Sequence, residues 1–317
     1  GCRRLHRELH RELHLSGNFT KLAGGWPRSR SRTGSSPHRP NPARGSSSTK
    51  RWSTGSLPTE WAPPYPVDSY VINLGTAQSP AVKSGVHAPI VFQDPDRYTR
   101  DGLKRSEKGL LGTMSQAENA ANASLAFLRS TSKAATASSD LIRTTCQEYQ
   151  TAVNYGGGGN LSGDLRNIAA LIAGGFQTKI YYTSIGGWDN HSDQAANRQM
   201  PVAILDDGIG GFLEDLQRIG RADDVAIMAF SEFGRRVEQN ASGGTDHGVA
   251  GPMFIIGEQV TGGFYGEHPS LTDLDNGNLK VTADFRRVYA TMIKEWLGFD
   301  DTRTILKGDF DTFETFA

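Results

Sequence analysis

Sulfur and long apolar stretches are both scarce in this 317-residue chain. Only Cys2 and Cys146 are present, so no disulfide framework organises the fold. No run of about 18 apolar residues occurs, which excludes a membrane-spanning helix. Nothing near the start has the apolar stretch of a secretory signal. Acidic side chains are missing from Leu13 to Thr59, although the chain as a whole is neutral. Residues 1–51 hold twelve Lys/Arg against Glu8 and Glu12, so the remainder carries a net charge of −10. An acidic body has no general attraction for nucleic acid or anionic lipid.

Two segments differ in character. Residues 1–66 contain a tandem Arg-Glu-Leu-His at 7–14 and then many Ser, Pro, Arg and Gly. The repeat is too short to hold a helix by itself, and the remainder lacks periodic apolar content. This segment reads as disordered, low-complexity and basic, without the interleaved aromatics of a nucleic-acid binder. Residues 67–317 read as a single α/β domain.

Within that domain, Val71–Leu74 and Ala88–Phe92 are short strand candidates, and residues 103–150 are rich in helix formers. Gly156–Gly159 reads as a linker, because no Gly-Lys-Ser/Thr follows to make a phosphate loop. Ser162 is the expected cap of a helix carrying Leu165, Ile168, Leu171 and Ile172, stopped at Gly174-Gly175. Lys179–Ile185 is a β-branched and aromatic strand. A helix then aligns Val202, Leu205, Ile209, Phe212 and Leu216. Val225–Phe230 is a continuous apolar run of the kind covered on both faces. Strand, helix and strand in that order predict a right-handed βαβ unit and a mostly parallel sheet flanked by helices. Met253–Ile256 is a further strand. The last helix, from Thr282 or Asp284, is expected to bury Phe285, Val288, Met292 and Trp296.

The chemistry-bearing residues cluster in Gly-Gly-Trp-Asp-Asn-His (186–191), Ser-Glu-Phe-Gly-Arg (231–235) and Gly-Thr-Asp-His-Gly (244–248). Asp189 and His191 follow one strand and Glu232 follows the next, so parallel strands would deliver them to one carboxyl edge. Asp246 and His247 lie between glycines. Carboxylate oxygen and neutral imidazole nitrogen suit zinc, manganese and similar ions, so Asp189, His191, Glu232, Asp246 and His247 are the expected metal ligands. For Asp246 the alternative is turn formation through its own backbone amides. Arg235 or Arg236 offers a forked guanidinium for an anionic substrate group. Arg235 is assigned as that anion clamp, against the alternative of an ion pair with Glu232 or Glu238. Ser231 and Thr245 suit capping or turn duty better than attack, and Trp188 suits packing over the sheet edge.

These motifs resemble the bacterial family called "domain of unknown function 1501", itself similar to the alkaline phosphatase and sulfatase superfamily. The likeness runs from about Leu165 to Asp309. It includes Gly186–His191 with Gln194, Ser231–Arg235, Asn240, Gly244–Gly248, Tyr265-Gly266, Asp284-Phe285-Arg286 and Trp296-Leu297-Gly298. The resemblance implies an alkaline-phosphatase-like sandwich with a site for a divalent metal such as zinc, manganese or calcium. The implied reaction is hydrolysis of small anionic phosphate or sulfate esters. Superfamily members draw their nucleophile and first metal-binding Asp from early in the chain, where this sequence has no carboxylate. The chain therefore reads as truncated or disrupted at its N-terminal side, with catalytic competence in question. A non-catalytic exported surface or carbohydrate-binding protein that keeps the fold is the alternative. Relatives are often exported, which is compatible with a periplasmic or envelope location.

Overall fold

The computed structural model describes residues 70–82, 89–98 and 123–316, together with Gly109 and Thr113. The tandem repeat, the rest of the 1–66 segment and His87 lie outside the described residues. Three short strands form a parallel sheet in the order β2-β1-β3: β1 (Val71–Leu74) at the centre, β2 (Ile90–Phe92) and β3 (Ile180–Tyr182) at its sides. Ile72 stands opposite both Ile90 and Tyr181 and is completely buried. Apolar runs without alternation form strands here because both faces of the sheet are covered.

Among the described residues two long helices lie between β2 and β3, α1 (Ala123–Glu148) and α2 (Gly159–Ala173). After β3 come one short turn of helix, α3 (Gln194–Asn197), and the long α4 (Gln199–Arg218). The expected stripe of α4 is buried in full: Val202, Leu205, Ile209, Phe212 and Leu216 share one core with Leu161, Leu165 and Ile168 of α2. Such three- and four-residue spacing gives a helix one apolar face. Gly208 lets the two helices close, since a Cβ there would already touch Leu165 and Leu161. No described helix is long and apolar enough to cross a membrane.

Three expectations need correction. The cap of α2 is Gly158, not Ser162; the Ser162 hydroxyl instead donates back to the Tyr155 carbonyl at 2.8 Å. The Gly156–Gly159 run thus leads directly into the helix. Second, β3, α4 and β4 (Ile227–Ala229) do not form a hydrogen-bonded parallel pair. β3 pairs with β1, and β4 pairs antiparallel with β7 (Phe254–Ile256), Ile227 standing opposite Ile256. Among the described residues the parallel part is therefore three strands, and β4 belongs to a separate antiparallel ladder. An apolar run reports burial on both faces but carries no information about its partner's direction. Third, Phe285 is 60% exposed. It opens helix α5 (Phe285–Thr291), capped by Asp284, whose carboxylate accepts from the Arg286 amide at 2.9 Å. The first turn projects past the small core that α5 covers. That core holds Met292, with Val288 and Trp296 partly buried, against Ala226 and Met228. After Thr291 the helix continues as a π-helical turn, Met292–Trp296.

Between β4 and α5 lie two further antiparallel ladders among the described residues. β5 (Gly234–Arg235) pairs with β6 (His247–Gly248), and β8 (Leu274–Asp275) pairs with β9 (Asn278–Leu279). Asn276 and Gly277 between β8 and β9 both have positive φ, 47° and 79°, as a two-residue primed turn requires. A final short helix, α6 (Thr302–Leu306), precedes the C-terminal segment.

Two buried carboxylates mark the core with opposite electrostatics. Asp215 on α4 accepts hydrogen bonds from Tyr149, Thr151, Tyr155 and Arg218 at 2.6–2.9 Å. Burial opposes its charge, but these four donors outweigh burial and hold the carboxyl below its ordinary range. Asp164 on α2 has one described partner, the Thr183 hydroxyl, and burial pushes it up to about 6. The signs differ. Asp215 contributes stability at neutral pH that is lost as pH falls below the ordinary Asp range. Asp164 binds its proton more tightly when folded, so its contribution is lost as pH rises from about 4 to about 6. Two thermal-melt predictions follow from this contrast. Asp164→Asn raises stability at pH 7.5, by ~3 kcal/mol at most, and changes it little at pH 4. Asp215→Ala lowers stability at pH 7.5 by about 2–4 kcal/mol, since three hydroxyls and Arg218 lose their acceptor.

Candidate metal centre

The loop after β3 is anchored by Trp188, which is completely buried while Asp189 and His191 beside it face outward. Gly187, at φ 92°, provides the backbone turn that drives the indole inward. The second loop is the hairpin β5–β6. It is so closely packed that a Cβ on Gly234 would lie 1.7 Å from the Ala250 carbonyl oxygen. Arg235 and His247 are directly opposed across this ladder. They therefore present side chains to the same face, towards Asp189.

Three of the five expected ligands meet. The ligand atoms of Asp189, His191 and His247 all lie within 4.8 Å of one another, on an exposed surface. His247 Nε2 donates to Asp189 Oδ1 at 2.8 Å, and His191 Nδ1 is 3.6 Å from the same oxygen. With bonds of about 2.1 Å, ligand atoms around a tetrahedral ion lie about 3.4 Å apart. The His191–Asp189 separation already matches that spacing. The His247–Asp189 bond has to open and the widest separation to close, each by less than about 1.5 Å on this geometry. The donor set thus fits an ion with three protein ligands and an open fourth position. Two imidazoles and one carboxylate suit zinc or manganese better than calcium, which takes six to eight oxygen ligands.

The rings are ordered by stacking. His247 lies parallel to Phe233 at 3.6 Å and to His191 at 4.8 Å, and the Arg235 guanidinium sits 4.9 Å over the other ring, Phe233. The His247 hydrogen bond is the main cause that holds the Asp189 carboxyl below its ordinary range. Slight desolvation opposes it, and the neighbouring His247, His191 and Arg235 charges add to it. Asp189 is therefore a carboxylate at neutral pH, the form that binds metal.

Glu232 and Asp246 stand outside this group. Both are exposed. Asp246 Oδ1 accepts from Asn240 Nδ2 at 3.2 Å, and as the residue before His247 it starts on the opposite face of an extended chain. Arg235 does not have the place assigned to an anion clamp. It is 2% exposed, and its two terminal nitrogens donate to the carbonyls of Thr245 and Trp188, each at 2.7 Å. Its fork is committed to backbone, with Asp189 Oδ1 4.0 Å away. Burial lowers its pKa, against the raising effect of Asp189 and Asp246. Arg198, also buried, is brought down to about 10, by burial first and then by the Arg235 charge. Arg235 thus brings a buried positive charge to within 4.0 Å of Asp189 Oδ1. The Ser231 hydroxyl donates to the Phe233 carbonyl and that of Thr245 to Gln194 Oε1, both at 2.8 Å, so both serve as turn and bridging groups.

Residue-by-residue reading of the sequence missed Asn240 and Gln194, which appeared there only among the motif residues. Gln194 is buried and links the Asn190 carbonyl to Thr245; Asn240 reaches His191 and Asp246. Their signal was position alone: amides a few residues from glycines, on loops that bear ligands.

Fold and site together define an α/β domain with a candidate mononuclear metal centre on adjoining loops. The chain matches the family described as "Protein of unknown function (DUF1501)" over residues 42–310 and belongs to that family. This match begins well before Leu165, where the motif likeness starts, and inside the basic segment. No curated protein and no solved structure matches the chain.

Gly244 provides a direct test of the loop geometry. A Cβ there would lie 2.3 Å from the His191 carbonyl oxygen. Gly244→Ala is expected to force the two ligand loops apart, lowering stability by about 1–3 kcal/mol in urea unfolding and weakening any metal binding.

Proposed function

We propose that this protein is a metal-dependent hydrolase of small phosphate or sulfate esters, with a fold of the alkaline-phosphatase type. The convergence of Asp189, His191 and His247 carries the reading. These three side chains would hold one divalent ion, zinc or manganese. When bound, such an ion supplies a water of lowered pKa and a Lewis acid for an ester oxygen. The chain's own residues do the rest. Asp189 contributes negative charge to the ligand set, while the stacked Phe233 and His191 rings fix the orientation of His247. Arg235, buried 4.0 Å from Asp189 Oδ1, adds fixed positive charge, which favours an anionic ester over a neutral one. Arg235 acts on the substrate through this field and not through a bidentate contact.

A non-catalytic binding protein is the second reading, favoured by the engaged hydroxyls of Ser231 and Thr245: neither stands free as a nucleophile. Metal analysis of the purified full chain, followed by turnover assays on aryl phosphate and aryl sulfate esters, separates the two. The hydrolase reading expects close to one zinc or manganese per chain. Activity should be lost on chelation, restored by metal and reduced at least 100-fold by Asp189→Ala or His247→Ala. Bound metal without turnover on either ester class rejects the hydrolase and leaves the binding protein. Absence of metal binding rejects both the centre and the chemistry built on it.

A further inference from the structure

Beside Arg235 and Gln194, the Asn240 side chain also joins the two loops that carry the three ligands. We propose that Asn240 is a positioning residue that sets the metal affinity of the centre, an inference that rests on the metal-binding reading above. Asparagine has two N–H donors and a carbonyl with two lone pairs, and all four are used. Nδ2 donates to the His191 carbonyl at 3.0 Å and to Asp246 Oδ1 at 3.2 Å. Oδ1 accepts from the amides of Ser242 and Gly244, both at 3.0 Å. The backbone adds two more, from Asn240 N–H to the Gly244 carbonyl at 2.8 Å and from Gly243 N–H to the Asn240 carbonyl at 3.2 Å.

These bonds have two effects. The acceptor side shapes the 240–244 turn. The donor side reaches across to the backbone of a ligand on the other loop and to the residue next to His247. Around this link Ser192 bridges Gly243, and the Gln194 amide donates to the Gly243 carbonyl at 3.3 Å. A three-ligand site gains affinity when its ligands need not be brought together at the moment of binding. Hydrogen bonds made directly to ligand side chains are worth about 10- to 100-fold in metal affinity, which sets the scale for a bond to the backbone of a ligand.

The donor and acceptor roles can be separated. Asn240→Asp keeps the oxygen that shapes the turn but has no N–H for His191. Its added negative charge attracts a cation but also faces the Asp246 carboxylate, so the variant is compared on an Asp246→Asn background, where that repulsion is absent. Asn240→Ala removes both roles. Zinc titration of the full chain gives the metal Kd, and melting in chelator gives the stability of the metal-free state. Both variants are expected to bind zinc 10- to 100-fold more weakly, with Asn240→Asp melting within a few degrees of wild type in chelator. Wild type that binds no zinc overturns the metal-binding reading itself. Wild type that binds, with Asn240→Asp binding equally well, overturns the role of Asn240 alone. If both variants lose the folded state in chelator, Asn240 supports the fold and the proposal is also overturned.

Discussion

The guanidinium of Arg235, out of water and bonded to the carbonyls of Trp188 and Thr245, is the constraint on which the candidate centre depends. Each carbonyl belongs to a different ligand loop: Trp188 precedes Asp189, and Thr245 lies two residues before His247. A charged group that leaves water must find strong acceptors, and here two backbone carbonyls take that part while the Asp189 carboxylate stays 4.0 Å away. The same group stacks on Phe233, which stacks on His247, which stacks on His191. One buried side chain thus orders both the backbone separation and the ring orientations. Lysine could not replace it, because a single ammonium has neither the planar fork nor the flat face.

The helices and strands were legible wherever apolar spacing decided them. The stripe from Val202 to Leu216 and the run at Val225–Phe230 both became buried elements, because burial is what a pattern of apolar residues encodes. Partner choice was not legible. Nothing in Ile227-Met228-Ala229 says that its neighbour is Phe254–Ile256 running the other way. Local chemistry was overlooked at one point where it was present: Asn276-Gly277 is a strong two-residue hairpin signal, and the structure has a hairpin there. Phe285 was misplaced because periodicity does not show where a core ends.

The candidate site was legible in part for similar reasons. Residue type and loop position were enough to nominate Asp189, His191 and His247. Type alone could not separate them from Glu232 and Asp246, which carry the same chemistry on the same loops but lie outside the cluster. Arg235 shows the converse error. Its charge beside carboxylates suggested contact with a substrate, whereas its burial makes it a support. Support roles of this kind, like those of Asn240 and Gln194, depend on which backbone oxygens come within reach, and that information exists only once the chain has folded.

Asp189 and His247 are 58 residues apart in sequence and belong to different ladders, the first following the parallel sheet and the second lying in the β5–β6 hairpin. The loop after β3 holds two of the three candidate ligands, Asp189 and His191, and the hairpin holds the third. Any partly folded form in which the hairpin has not docked on the loop after β3 would hold an ion through two of these ligands at most, and so more weakly than the native state. A bound ion would therefore favour the native state selectively over such intermediates, by mass action. It would slow unfolding more than it speeds folding if docking of the two loops follows the main barrier. The centre would then be a kinetic lock as well as a place for chemistry, closed by the last contacts to form.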